Sequence, residues 1–335
     1  MSFSLKPSQL TLLLSKTIQA KKPVLIKGAP GVGKSDIVTQ ACEATEAKLI
    51  ISHPVVSDPT DYKGFPFVVE GKAVFLPFGE LEELIHAEEL TVFFLDDIGQ
   101  APPSVQAACM QLILARRVNG HKVSDHVCFI AATNRKEDRA GVSGILEPVK
   151  SRFMTIVELT PDVDEWTQWA ISNDMPTELI AFIRFRPVLI QDFKPSVNIT
   201  NSPCPRTVAN VGEILKLDLP EELEMPTVAG AAGEGFAIEF LSFLKMYRNM
   251  VSPDVCLMQP DTAPVPTEIS TLYALATALA SKVDMNSAER FFTYCNRMTD
   301  EYSVLAVTDA IKRKKELQST RGFINWASIH KDVLF

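Results

Sequence analysis

No apolar run in this 335-residue chain approaches the roughly 18 residues of a membrane-spanning helix, so a helical membrane protein is not expected. The opening Met1-Ser2-Phe3-Ser4-Leu5-Lys6 lacks the basic segment and apolar core of a secretory signal, and a cytoplasmic protein is the expectation. A basic surplus is missing too. The 33 Lys and Arg stand against 41 Asp and Glu, for a net charge of -8. Coating of nucleic acid runs on Lys and Arg, so it is not the expected business of this chain. The six cysteines, at positions 42, 109, 128, 204, 256 and 295, never approach C-x-x-C spacing, and the five histidines share no metal-ligand spacing. Neither a zinc site nor a disulfide framework is expected; Val127-Cys128-Phe129 reads as a buried thiol in a reducing compartment. Internal repeats and low-complexity tracts are absent. What remains, 46% hydrophobic and 22% charged, is an ordinary globular composition with room for two or three cores.

Within that composition one segment is specific. Gly28-Ala29-Pro30-Gly31-Val32-Gly33-Lys34-Ser35 fits G-x-x-x-x-G-K-[ST], and it follows Val24-Leu25-Ile26, which reads as a buried strand. The amphipathic Ile37, Val38 and Ala41 pattern after it predicts a helix, and a strand, glycine loop and helix start together make a phosphate cradle. The glycines let backbone N–H groups turn toward a β-phosphate, Lys34 reaches β/γ oxygens, and the Ser35 hydroxyl suits Mg²⁺. ATP with Mg²⁺ is therefore the expected ligand.

A helix is predicted over 7–20, and strands over 23–27, 48–53, 91–96, 127–133 and 153–158. Helical patterns separate most of these strands, so a parallel five-stranded sheet with helices on both faces follows. Two hairpins interrupt it. One pairs 65–69 with 72–76 around Glu70-Gly71, with one face expected to pack and the tip left available; the other straddles Asn119-Gly120. Twelve of the 22 prolines lie between Pro161 and Pro266, which rules out long strands there. The division expected is an α/β nucleotide-binding domain over 1–160, a helical lid over 161–250 with an irregular stretch at 186–206, and a linker plus helical extension over 251–335. The linker is placed at 252–266. Trp166 and Trp169 read as packing of the lid, and Lys312-Arg313-Lys314-Lys315 as a solvated helix end.

Thr91 to Asp97 reads as an apolar strand ending in two carboxylates. One intervening strand after the glycine loop, this places Asp96 on the metal side and Asp97 on the side of the attacking water. A third buried strand, Cys128 to Asn134, ends in an amide that suits orientation of that water.

With these motifs in place the chain resembles the AAA+ ATPases, and among them the MoxR-like branch, over residues 1 to about 250. The resemblance rests on GAPGVGKS (28–35), FFLDDIGQAPPSVQAACMQLI (93–113), FIAATNR (129–135), LEPVKSRF (146–153) and SPCPRT (202–207). It implies that Asn134 is sensor 1, Arg152 the arginine finger given to a neighbouring subunit, and Arg206 sensor 2, with Arg116 or Arg117 a further interface arginine. It implies a homo-oligomeric ring, of six subunits, that couples hydrolysis to remodelling a protein partner, a protein with a von Willebrand factor A domain being the family-level expectation. The branch usually carries Asp-Glu where this chain has Asp96-Asp97. The water-side acid is thus shorter by about 1.5 Å, one C–C bond, and slow hydrolysis is expected. Two alternatives stay open: a nucleotide-dependent assembly switch, and a helicase loader or replication initiator, against which the hairpins and the missing basic C-terminal module speak.

Overall fold

The computed structural model describes residues 4–138, 144–195 and 198–331. Met1 to Phe3, residues 139–143, two residues of the irregular lid stretch and the last four of the extension lie outside them. The chain divides into two compact units, the first reaching Asp162 and taking in residues 193–195, the second holding the rest.

The first unit is built on strands β1 (Ser4–Leu5), β2 (Val24–Gly28), β3 (Lys48–Ser52), β4 (Phe65–Val69), β5 (Lys72–Leu76), β6 (Thr91–Leu95), β7 (Arg117–Val118), β8 (His121–Lys122), β9 (Val127–Asn134) and β10 (Thr155–Leu159). Its helices are α1 (Pro7–Gln19), α2 (Lys34–Ala44), α3 (Pro59–Lys63), α4 (Gly79–Ile85), α5 (Pro103–Ala115) and α6 (Glu147–Lys150). Six strands form one parallel sheet in the order β1-β10-β2-β9-β6-β3. The sixth is the short β1, which pairs only Ser4 and Leu5 with β10; two residues carry no periodicity, so the sequence showed five.

Strand alternation divides the apolar side chains between two cores. Val24, Ile26, Val92, Phe94, Cys128, Ile130 and Ala132 face α1 and α2, where Leu10, Leu14, Ile18, Val38 and Ala41 cover them. Leu25, Phe93, Leu95, Phe129 and Ala131 face the other way, under Tyr62, Leu81, Leu84, Val105, Cys109 and Leu112. β6 and β9 are buried along their whole length, as strands sandwiched between helices must be.

Both hairpins close through two-residue turns with positive φ at each position, Glu70 (49°) and Gly71 (77°), Asn119 (47°) and Gly120 (91°). The second braces the first: Asn119 Nδ2 donates to Lys63 O at 2.8 Å and His121 Nε2 lies 3.0 Å from Phe75 O. Gly64, at φ 85°, admits no side chain, since a Cβ would meet Leu76 O at 2.7 Å. The expectation that one face of the β4–β5 hairpin packs is corrected. Phe67 is 56% and Val68 67% exposed, and they point to opposite faces.

The second unit is helical: α7 (Val163–Ser172), α8 (Thr177–Phe185), α9 (Pro205–Leu215), α10 (Glu221–Ala232), α11 (Glu234–Asn249), α12 (Pro253–Met258), α13 (Ile269–Lys282), α14 (Ala288–Cys295), α15 (Asp300–Arg313) and α16 (Arg321–Ile329). One core gathers Phe182, Phe236 and Phe240, the other Phe291, Phe292 and Trp326. The stretch read as a linker carries α12, begun by the Ser252 side chain accepting from Asp254 N and by Pro253 at its first position. Arg184 on α8 forms a buried ion pair with Asp309 on α15, and Arg184 Nη2 reaches Asp309 Oδ1 at 2.7 Å.

Candidate functional site

Parallel strands deliver their C-terminal ends to one edge, and β2, β6 and β9 bring the site there together. Gly28 ends β2, and Gly33 at φ 96° begins α2 in a left-handed conformation that a side chain would strain. The loop Gly28, Ala29, Pro30, Gly31, Val32, Gly33 thus curls over the N-terminus of an 11-residue helix, whose free N–H groups and dipole favour an anion.

Lys34 is buried, its Nζ donating to Gly28 O at 3.2 Å, Ala29 O at 3.1 Å and Asn134 Oδ1 at 2.6 Å. Asn134 passes the contact on, its Nδ2 donating to Asp97 Oδ1 at 3.1 Å. A lysine only donates, so its contact fixes which end of the amide faces which partner. Ser35 Oγ donates to Asp96 Oδ2 at 2.8 Å, and Asp97 N donates to Asp96 Oδ1 at 3.0 Å. A hydroxyl and a carboxylate so placed are the hard oxygen donors that Mg²⁺ takes. Asp97 itself has φ 55°, an uncommon conformation for a residue with a side chain. Beside it opens a cleft of about 440 Å³ lined by His53, Val55, Val56, Asp97 and Gln100, roomy and polar enough for water.

The structure therefore brings Lys34, Ser35, Asp96, Asp97 and Asn134 into one hydrogen-bonded set. Arg135 supports its end: the guanidinium forks onto Asp138 at 2.8 and 2.9 Å and reaches Glu158 on β10, which also pairs with Lys27 on β2 at 2.8 Å. The acid partners hold the Arg135 guanidinium above its ordinary pKa, Asp138 most of all.

Arg152 is not part of that set. It follows α6, anchored by the buried Val149 and Phe153, and its own contact is with Ser151 Oγ at 2.9 Å; its Nε is buried without a partner. A guanidinium with no carboxylate among the described residues remains available to another anion. Arg206 stands exposed in the first turn of α9, in the second unit, with no ion pair among the described residues. Thr207 fixes that turn, accepting from Cys204 N at 2.8 Å and donating to Ser202 O at 2.9 Å. Of the two further arginines, Arg116 is engaged: it donates to Ser124 O at 2.5 Å and its guanidinium lies 5.6 Å from the Phe129 ring centre. Arg117 is exposed.

One residue escaped the sequence reading. Gln106, 1% exposed on α5, makes three hydrogen bonds that join the acidic strand's turn to the segment before Arg152. A lone amide in the otherwise apolar face of Val105, Ala108, Cys109 and Leu112 was the available signal.

Residues 24–160 match the family AAA, the ATPase family associated with various cellular activities. No curated protein matches the chain. Among solved structures, the Thermotoga maritima RuvB Holliday junction branch migration motor is 17% identical, covering 87% of this chain and 85% of that one, with a TM-score of 0.40. NtrX from Brucella abortus in complex with ATP is 13% identical, covering 97% of this chain and 67% of that one, with a TM-score of 0.42. The fold assignment rests on the family match together with the sheet topology.

Proposed function

From an AAA ATPase domain at residues 24–160, we propose that this chain assembles into a MoxR-like ring of six that hydrolyses Mg-ATP to remodel a protein partner in the cytoplasm. The observation that carries the reading is the hydrogen-bonded set of Lys34, Ser35, Asp96, Asp97 and Asn134 at the C-terminal ends of three parallel strands. In it the loop from Gly28 to Gly33 offers backbone N–H groups to the phosphates, and Lys34 neutralises their charge. Ser35 and Asp96 would hold Mg²⁺, which supplies charge neutralisation to the phosphoryl oxygens. Asp97 accepts a proton from water drawn from its cleft, while Asn134 fixes the carboxylate's direction. Arg152 acts on the nucleotide of the neighbouring copy, and Arg206 on the phosphates from the lid. Arg117, exposed where Arg116 is engaged, is the better interface candidate. The apolar β4–β5 hairpin, uncovered on both faces, is the surface for the partner, which family resemblance makes a von Willebrand factor A protein.

The second reading, a switch in which ATP holds an assembly and slow turnover resets it, draws on Asp97, whose short carboxylate is tied to Asn134. Steady-state turnover measured beside assembly mass separates the two. Partner-stimulated turnover supports a remodelling machine; assembly with ATP at negligible turnover supports the switch. Retention of monomer mass with Mg-ATP contradicts both.

A further inference from the structure

A path of short bonds runs from Asp97 to Arg152 through one side chain. Gln100 N donates to Asp97 O at 2.9 Å and Ala101 N to Ile98 O at 3.3 Å, which closes the turn after the two acids. The Ala101 carbonyl then accepts from Gln106 Nε2 at 3.1 Å. The same amide nitrogen donates to Gly144 O at 2.9 Å, and Gln106 Oε1 accepts from Leu146 N at 3.0 Å. Leu146 starts α6, where its carbonyl accepts from Val149 N at 2.8 Å, and Val149 O in turn accepts from Arg152 N at 3.1 Å. Both hydrogens of the amide of the buried Gln106 are used, on two different segments. Losing them would leave the buried Ala101 carbonyl and the half-buried Gly144 carbonyl and Leu146 N–H without this partner, a cost the segments would relieve by moving apart.

We propose that Gln106 is a positioning residue that sets Arg152 against the turn of Asp97, so that the arginine a subunit gives to its neighbour depends on that subunit's own acidic turn. The proposal rests on the reading of Arg152 as acting on the neighbouring copy. Gln106 itself touches no nucleotide. Its loss lowers kcat by about tenfold or more, the scale of one or two unmade hydrogen bonds in a positioned group, and leaves the KM for ATP nearly unchanged.

Complementation in mixed full-length assemblies tests this, with Gln106→Met as the isosteric variant lacking hydrogen bonds. Gln106→Glu is the second, keeping an acceptor for Leu146 N while losing both donors. A Gln106 variant mixed with Lys34→Ala is expected to regain turnover, because an intact nucleotide loop then meets an intact Arg152. Mixed with Arg152→Ala it regains none, since both parents are defective in the same part. The opposite pattern, rescue by Arg152→Ala and not by Lys34→Ala, overturns the proposal by placing Gln106 with its own subunit's site. Wild-type turnover in both variants overturns it, as does absence of rescue in either mixture while Lys34→Ala and Arg152→Ala rescue each other. If those two controls fail to rescue each other in proven mixed assemblies, the trans reading of Arg152 falls as well.

Discussion

Lys34 donates to two loop carbonyls and to Asn134, which holds its charge at the helix start where phosphates would lie. Lys34→Ala is therefore expected to abolish tight ATP binding, and with it the rise in melting temperature that Mg-ATP gives the wild type by mass action. Undiminished ATP affinity in a calorimetric titration contradicts the loop's assignment. Asp97→Asn keeps the shape and loses the proton acceptor, so turnover should fall by about 10²–10⁴ while the ATP-bound form persists. Asp97→Glu should match or exceed the wild type; equal turnover in all three forms places the water on another group. The cysteines supply a separate check. All six are buried, and burial pushes Cys42 up to about 11 and Cys128 up to about 12, so native protein should resist alkylation at pH 8 that unfolded protein undergoes at six sites. At this scale the glycine loop and Asp96 were legible because their chemistry lies in contiguous residues. The Asp97–Asn134 bond and the contacts of Arg116 with Ser124 and Phe129 were not, because they join residues whose pairing no sequence pattern carries.

Hairpins and helices show where periodicity informs and where it fails. β2, β6 and β9 were readable as buried strands, and α13 as a helix, from apolar spacing. The β4–β5 hairpin carries apolar residues at nearly every position, so alternation could not say which face packs; the structure packs neither. Replacing Val69, Glu70 and Lys72 by Gly and Ser residues should leave folding and basal ATPase nearly unchanged and weaken partner binding. Intact partner coupling in that variant moves the contact elsewhere. In the second unit the Arg184–Asp309 pair joins α8 to α15, with both groups out of water. Asp309→Asn leaves the arginine uncompensated and should cost about 3–5 kcal/mol in denaturant unfolding. The double change Arg184→Met with Asp309→Leu should recover most of that loss, which packing lost at Asp309 alone would not allow.

For the whole molecule, the first compact unit reaches Asp162, and the elements that follow β10 are all helical. Helical period continues through both lid and extension, and only contacts distant in sequence, such as Arg184 with Asp309, reveal that α8 and α15 share one unit. Assembly is the property on which the account turns, because Arg152 has no anionic partner within its own described chain. Arg152→Ala should leave ATP binding almost intact and lower turnover by roughly 10³–10⁵. The most direct measurement mixes Lys34→Ala with Arg152→Ala subunits and follows steady-state ATP hydrolysis, with mixed assemblies verified by mass. The account predicts turnover well above either parent, since each mixed interface of one orientation joins an intact Lys34 to an intact Arg152. Turnover no higher than the parents', in assemblies shown to be mixed, would contradict it.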